Sequence, residues 1–81
     1  MYNVTIKRKG GKKMPDKVVV GNRLKAYRRA KGVSRDIAAA EIGISSSALG
    51  MYEQGSRTPR DEIKIEIASY YGHTVQEIFF T

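Results

Sequence analysis

Apolar positions recur at helical spacing along most of this chain, and glycines or short polar clusters separate one run from the next. Val20, Leu24 and Tyr27 fall at i, i+4 and i+7, which is one face of a helix. That helix is expected to open near Asp16, after Pro15, where the carboxylate can accept from unpaired backbone N–H groups. Gly21 and Asn22 weaken its start, and Gly32 ends it by taking the left-handed conformation that relieves the last carbonyls. Ser34 then reads as an N-cap ahead of Ile37, Ala38, Ala39, Ala40 and Ile42, with Asp36 placed favourably against the helix dipole and Gly43 as the stop. Ser45 caps a third helix whose inward side is Ala48, Leu49 and Tyr52 and which stops before Gly55. Thr58-Pro59-Arg60-Asp61 predicts a fourth start, with Thr58 as cap, Pro59 at the first helical position and Asp61 completing a capping box. Ile63, Ile67, Tyr70 and Tyr71 form its stripe and Gly72 its end. Thr74-Val75-Gln76-Glu77 predicts a second capping box and a short last helix carrying Ile78 and Phe79.

Five short helices joined by short turns predict an all-α bundle over residues 15–81, with no internal repeat and no second domain. Residues 1–14 predict a basic, flexible arm in which Gly10-Gly11 is a hinge signal. Its cations are Lys7, Arg8, Lys9, Lys12 and Lys13, which repel one another and have little apolar surface to offset ordering. Val4 and Ile6 alternate with polar residues and Val18-Val19-Val20 is β-branched, so a hairpin stays open as the alternative.

The charge balance narrows the partner. The 81 residues carry a net charge of +7, with a sequence pI of about 9.9. Residues 1–20 contribute +5, residues 21–54 contribute +3, and residues 55–81 contribute −1. A positive field concentrated in the first two thirds suits a polyanion. The absence of cysteine excludes disulfides and thiolate metal sites. His73 has no likely acid partner, and the serines at 45–47 have no base at a recognisable spacing, so no catalytic, metal or cofactor site is expected and an enzyme is not the reading. No run of about 18 apolar residues occurs, so no membrane span is expected. The segment Met1–Ile6 lacks the long apolar stretch of a secretory signal, and a cytoplasmic protein is expected.

The chemistry lies in two short serine-led helices on either side of Gly43-Ile44. Small side chains at Ala38, Ala39 and Ala40 let two helices cross closely, and a glycine in the connection permits a sharp turn. This is the pattern of a helix-turn-helix, whose second helix enters the major groove of DNA with its N–H-rich end toward phosphate. The chain resembles the Cro/repressor-type, or Xre, helix-turn-helix domains of phages and bacteria over residues 20–79. The residues that carry the likeness are Val20-Gly-Asn-Arg-Leu-Lys, Arg28, Gly32-Val-Ser34, Ala39, Ile42-Gly-Ile-Ser45, Tyr52-Glu-Gln-Gly55, Arg57, Pro59, Ile67-Ala68, Gly72 and Gln76-Glu-Ile-Phe79.

The resemblance implies a five-helix, lambda-repressor-like bundle and a sequence-specific regulator of transcription, Cro-like and repressing, acting on double-stranded DNA with no small-molecule ligand. It implies a recognition helix at residues 46–54 and a structural ion pair between Arg28 and Glu53. Arg35 stands where the family usually has a glutamine that grips a backbone phosphate; Ser45, Arg57 and Arg60 are the other phosphate candidates. The outward residues of the third helix, Ser46, Ser47, Gly50 and Met51, are the candidates for base readout. None is the Arg or Lys that reads guanine or the Asn or Gln that reads adenine by paired hydrogen bonds. Specificity is therefore expected to lean on close backbone approach over Gly50, on DNA shape and on the arm. Proteins of this type bind twofold-symmetric operators as dimers, with half-sites about 10 base pairs apart. Phe80, adjacent to a core-filling Phe79, is a candidate either for a partner contact or for folding back on its own domain. The competing classes are a protein-interaction module, such as an antirepressor or antitoxin, and a binder of RNA or membrane surface through the arm.

Overall fold

Five α-helices follow one another in the computed structural model, which describes residues 15–81: α1 (Lys17–Lys31), α2 (Arg35–Ile42), α3 (Ser46–Gln54), α4 (Asp61–Tyr71) and α5 (Val75–Phe79). The arm cations Lys7, Arg8, Lys9, Lys12 and Lys13 lie outside the described residues. No strand occurs among the described residues, and Val18, Val19 and Val20 are helical, which removes them as a hairpin partner. Asp16 explains why: its carboxylate accepts from the N–H groups of Val18 and Val19 at 2.9 and 3.1 Å and so commits the valines to the first turn.

Most ends are set by local chemistry. Ser34 accepts from Ile37 N–H at 3.2 Å, Ser45 from Ala48 N–H at 3.0 Å, and Thr74 and Glu77 exchange both bonds of a capping box. The fourth start differs from the expectation. α4 begins at Asp61, its N-cap is Arg60, and no side chain caps it; Thr58 and Pro59 lie before the helix. Pro59 is buried, and shares a small cavity with Val20, Lys64 and Phe79. Burying the ring against the core holds this segment extended and delays the helix until after Arg60.

The core is centred on Leu24, Leu49, Ile67, Ile78 and Phe79, all almost completely buried, each worth about 1.5–3 kcal/mol of transfer free energy. Ala38, Ala39 and Ala68 fill the crossings. Lys64 is buried beside them; its ammonium lies 5.0 Å from the Phe80 ring centroid and 5.7 Å from that of Phe79, and 3.6 Å from the Asp61 carboxylate. Phe80 thus folds back on its own domain while remaining 38% exposed. Arg23 fastens the other end of the chain: its guanidinium donates to the carbonyls of Glu77, Ile78 and Thr81, relieving the last turn of α5.

Gly21, which by propensity only weakens α1, has a packing role. A Cβ at this position would lie 2.3 Å from the Glu53 carbonyl oxygen and 2.8 Å from that of Tyr52. The backbone of α1 therefore rests directly on the last turn of α3, closer than any side chain permits. Gly21→Ala is expected to cost about 2–3 kcal/mol, since the obstacle is backbone and not a movable side chain. In a domain of this size that is a fall in Tm of about 10–20 °C, read by circular dichroism; an unchanged Tm would show that α1 and α3 can separate without loss.

Candidate nucleic-acid interface

The α2–α3 corner is a turn that only a left-handed residue makes easily. Gly43 has φ +99°, and its N–H and that of Ile44 both donate to the Ala39 carbonyl at 2.9 Å. Ser45 then starts α3 at once. On the inner side of α3, Leu49 and Tyr52 are buried. On the outer side, Ser47, Met51 and Gln54 are exposed at i, i+4 and i+7 and border an open, shallow hollow together with Arg35 and Gly50.

Two of the expected base-facing residues are placed differently. Gly50 is buried, because Arg35 of α2 reaches over it: a Cβ at 50 would meet Nη1 of Arg35 at 2.9 Å and Cζ at 3.3 Å. Close approach of DNA to the Gly50 backbone is blocked in this arrangement by the guanidinium. Ser46 is half-buried and its hydroxyl is engaged twice, donating to Asp36 and accepting from Arg35 Nε at 3.3 Å. Gln54 also faces the hollow, a residue outside the expected base-facing set. Its signal was present, since 54 is seven residues after Ser47 and one helix face repeats at that interval.

The remaining candidates lie at or beyond the ends of α3, or on its inner side. Ser45 is exposed, and its oxygen is used as an acceptor in the cap, leaving its O–H to donate. Arg57 and Arg60 are exposed in the segment between α3 and α4. Arg28 and Glu53 join α1 to α3: Nε donates to Oε2 at 2.7 Å and Nη2 to Oε1 at 3.1 Å, a two-bond fork. Glu53 is only 5% exposed, and Arg28 also donates from Nη1 to the Val33 carbonyl at 3.2 Å. The bond to Glu53 holds the Arg28 pKa above its ordinary value.

Behind this pair lies an aromatic group formed by Tyr27, Tyr70, Tyr71 and His73. Burial pushes the Tyr71 phenol up to about 12, aided by the negative charge of Glu53. Tyr70 also rises to about 12, chiefly because its phenol donates to Glu41. Among the described residues no cluster of His, Cys, Asp and Glu could hold a metal, and no helix is long and apolar enough to cross a membrane.

Residues 19–78 match the family described as the helix-turn-helix domain. The chain is 34% identical over 58 residues to the uncharacterized HTH-type transcriptional regulator YazB of Bacillus subtilis, a match covering 72% of this chain and 84% of the relative. Among solved structures it is similar to the restriction-modification controller protein C.AhdI from Aeromonas hydrophila, with a TM-score of 0.73 and 30% identity, covering 78% of this chain and 96% of the other. The P22 c2 repressor, solved in complex with a synthetic operator, shares the fold with a TM-score of 0.72 at 17% identity, covering 74% of this chain and 91% of the other.

Breaking the buried fork is expected to be costly. Glu53→Gln strands the Arg28 guanidinium beside a neutral amide and should destabilise by about 3 kcal/mol, measured by urea unfolding; a loss below about 0.5 kcal/mol would show that solvent relieves Arg28 fully. Alkali provides a second check. Folding raises the Tyr71 pKa above its unfolded value of 10.0, so its contribution is intact below pH 10.0 and is lost as pH rises through about 12. The urea midpoint should fall across that window, and Tyr71→Phe should flatten the fall by about 1 kcal/mol, a figure discounted for the exposed part of the ring. Parallel curves for the two proteins would remove Tyr71 from the alkaline transition.

Proposed function

The chain belongs to the helix-turn-helix family of DNA-binding transcriptional regulators, and from that premise we propose that α3 is its recognition helix and lies in the major groove of an operator. One observation carries this reading. The outward ridge of α3 exposes Ser47, Met51 and Gln54, with only the Arg35 guanidinium of α2 laid over it at Gly50, while its other side is clamped to α1 by the Arg28–Glu53 fork and by the Gly21 contact. A helix held from one side, and covered on the other by nothing bulkier than one cationic side chain, is what groove entry requires.

Phosphate contacts frame the ridge. The Ser45 hydroxyl, Arg57 and Arg60 supply donors to the flanking strands, joined by the N–H groups at the amino ends of α2 and α3. α4 has no side-chain cap, so its first-turn N–H groups are also open to a phosphate oxygen, although Asp61 and Glu62 beside them reduce the attraction. Ser47 and Met51 face the bases, the first through its hydroxyl and the second against a thymine methyl group. The cations at Lys7, Arg8, Lys9, Lys12 and Lys13 add non-specific attraction or lie in a neighbouring groove. Two copies on a palindromic operator, acting as a repressor on nucleoid DNA, complete the proposal. The exposed Ile65 on α4 and the part of Phe80 left open at its own domain's surface are available as apolar contacts for that pairing.

Selection of bound sequences from a random duplex pool, followed by fluorescence anisotropy on the selected duplex, tests the reading. A symmetric site and a Kd that weakens steeply with salt are expected. Arg57→Ala and Arg60→Ala should each weaken binding to selected and unselected duplexes alike and reduce the log–log salt slope by about 0.9. No binding to any duplex at low salt would overturn the reading and favour a role in protein interaction. Binding that survives disruption of α3 would move the activity to the arm.

A further inference from the structure

We propose that Arg35 is the guanine-selecting side chain of this protein, its guanidinium presented to the major groove from the seat over Gly50. This rests on the reading that α3 enters that groove, and it gives the outward face a specificity that α3 lacks on its own.

Arg35 is the first residue of α2, yet its side chain crosses the turn and lies on α3. Two restraints hold it there. Nε donates to the Ser46 hydroxyl at 3.3 Å, and that hydroxyl donates in turn to Asp36, which leaves its oxygen lone pairs for Nε. The missing side chain at Gly50 makes the notch in which the guanidinium rests; a Cβ there would lie 2.9 Å from Nη1. Nε is thereby occupied, while Nη1 and Nη2 make no hydrogen bond among the described residues and border the hollow lined by Ser47, Met51 and Gln54.

The chemistry of the face then selects the base. Guanine shows two acceptors, O6 and N7, to the major groove, and it is read by paired N–H donors. Ser47 offers one hydroxyl, Met51 offers no donor, and the Gln54 amide combines one donor group with one acceptor, which matches adenine. Arg35 alone brings paired donors to this hollow. A phosphate would also accept from a guanidinium. However, the Gly50 seat lies between Ser46 and Gln54 on the ridge itself, whereas phosphates meet a recognition helix along its flanks. Fixing a long side chain before binding also lowers the entropy lost when it meets the base.

The test compares wild type, Arg35→Gln and Gly50→Ala on the duplex selected from a random pool, on the same duplex with each guanine replaced in turn by 7-deazaguanine, and on an unselected duplex. For wild type, 7-deaza substitution of one guanine per half-site should weaken binding by about 10-fold to 100-fold. Arg35→Gln should be insensitive to that substitution and should select a different base there, with binding to the unselected duplex changed far less. Gly50→Ala should reduce the same guanine preference while keeping its Tm, because the atom it meets is the end of a flexible side chain. If Arg35→Gln weakens binding to selected and unselected duplexes equally, lowers the salt slope by about 0.9 and keeps the guanine sensitivity, Arg35 grips phosphate and the inference falls, with groove entry still standing. If wild type selects no sequence at all, groove reading by α3 falls and the inference falls with it.

Discussion

Every feature of the outward face depends on how α3 is held from behind. The hold is a contact between the backbone of α1 at Gly21 and the carbonyls of Tyr52 and Glu53, locked by the Arg28–Glu53 fork. The two parts act on the same turn of α3. Gly21 sets the distance, and the fork sets the rotation, because two parallel N–H···O bonds fix the plane of the carboxylate as well as its position. Burying a charged pair is poor value as pure stabilisation, since desolvation cancels much of the attraction. Its use here is geometric: a nine-residue helix with one serine cap has little rigidity of its own, and the groove-reading role proposed for it requires a surface fixed to within a fraction of an ångström.

That hold leaves the outer side of α3 out of the core, and three of its positions carry small residues beside Met51 and Gln54. Ser46, Ser47 and Gly50 leave room that α2 uses. The outward surface is therefore composite, with α3 supplying the platform and α2 the longest side chain on it, and in the proposed function this is the surface that reads DNA. A platform of serine and glycine costs little to desolvate against a base pair, whereas each long polar side chain ordered on binding costs about 0.5–1.5 kcal/mol. Holding Arg35 beforehand through Ser46 and the Gly50 notch reduces that cost for the longest side chain on the face.

What could be read from the chain and what could not divides along local and non-local causes. The starts at Asp16, Ser34, Ser45 and Thr74, and the stops at Gly32, Gly43, Gly55 and Gly72, were legible because each depends on bonds within a few residues. The start of α4 departs from its local signature for a non-local reason. Thr58 and Pro59 carry the local signature of a helix start, but Pro59 is drawn into the core beside Val20 and Phe79, and tertiary burial outweighs the cap. Periodicity puts Gly50 on the side of α3 away from the core, yet nothing in periodicity says that a side chain 15 positions earlier will cover and bury it. Arg23 and Lys64 were likewise illegible, since a cation on a helix face looks the same whether it meets water, a helix carboxyl end or an aromatic ring.

Asp36 shows the same priority of geometry over raw attraction. A carboxylate beside a surface that must approach phosphates weakens the local field, by about 1 kcal/mol for a unit charge at 4 Å in water and more where water is excluded. A purely electrostatic interface would have no acid there, and the net charge of +7 shows that the chain does not lack cations to spare. The carboxylate instead receives the Ser46 proton, and that single bond fixes which way the hydroxyl's lone pairs point. With Ser46 so oriented, Arg35 Nε has a defined acceptor and the fork beyond it a defined direction. Attraction at long range is supplied by charges that need no fixed position, whereas discrimination between bases needs one that does. If Arg35 reads guanine as proposed, Asp36 gives up a little of the first in favour of the second.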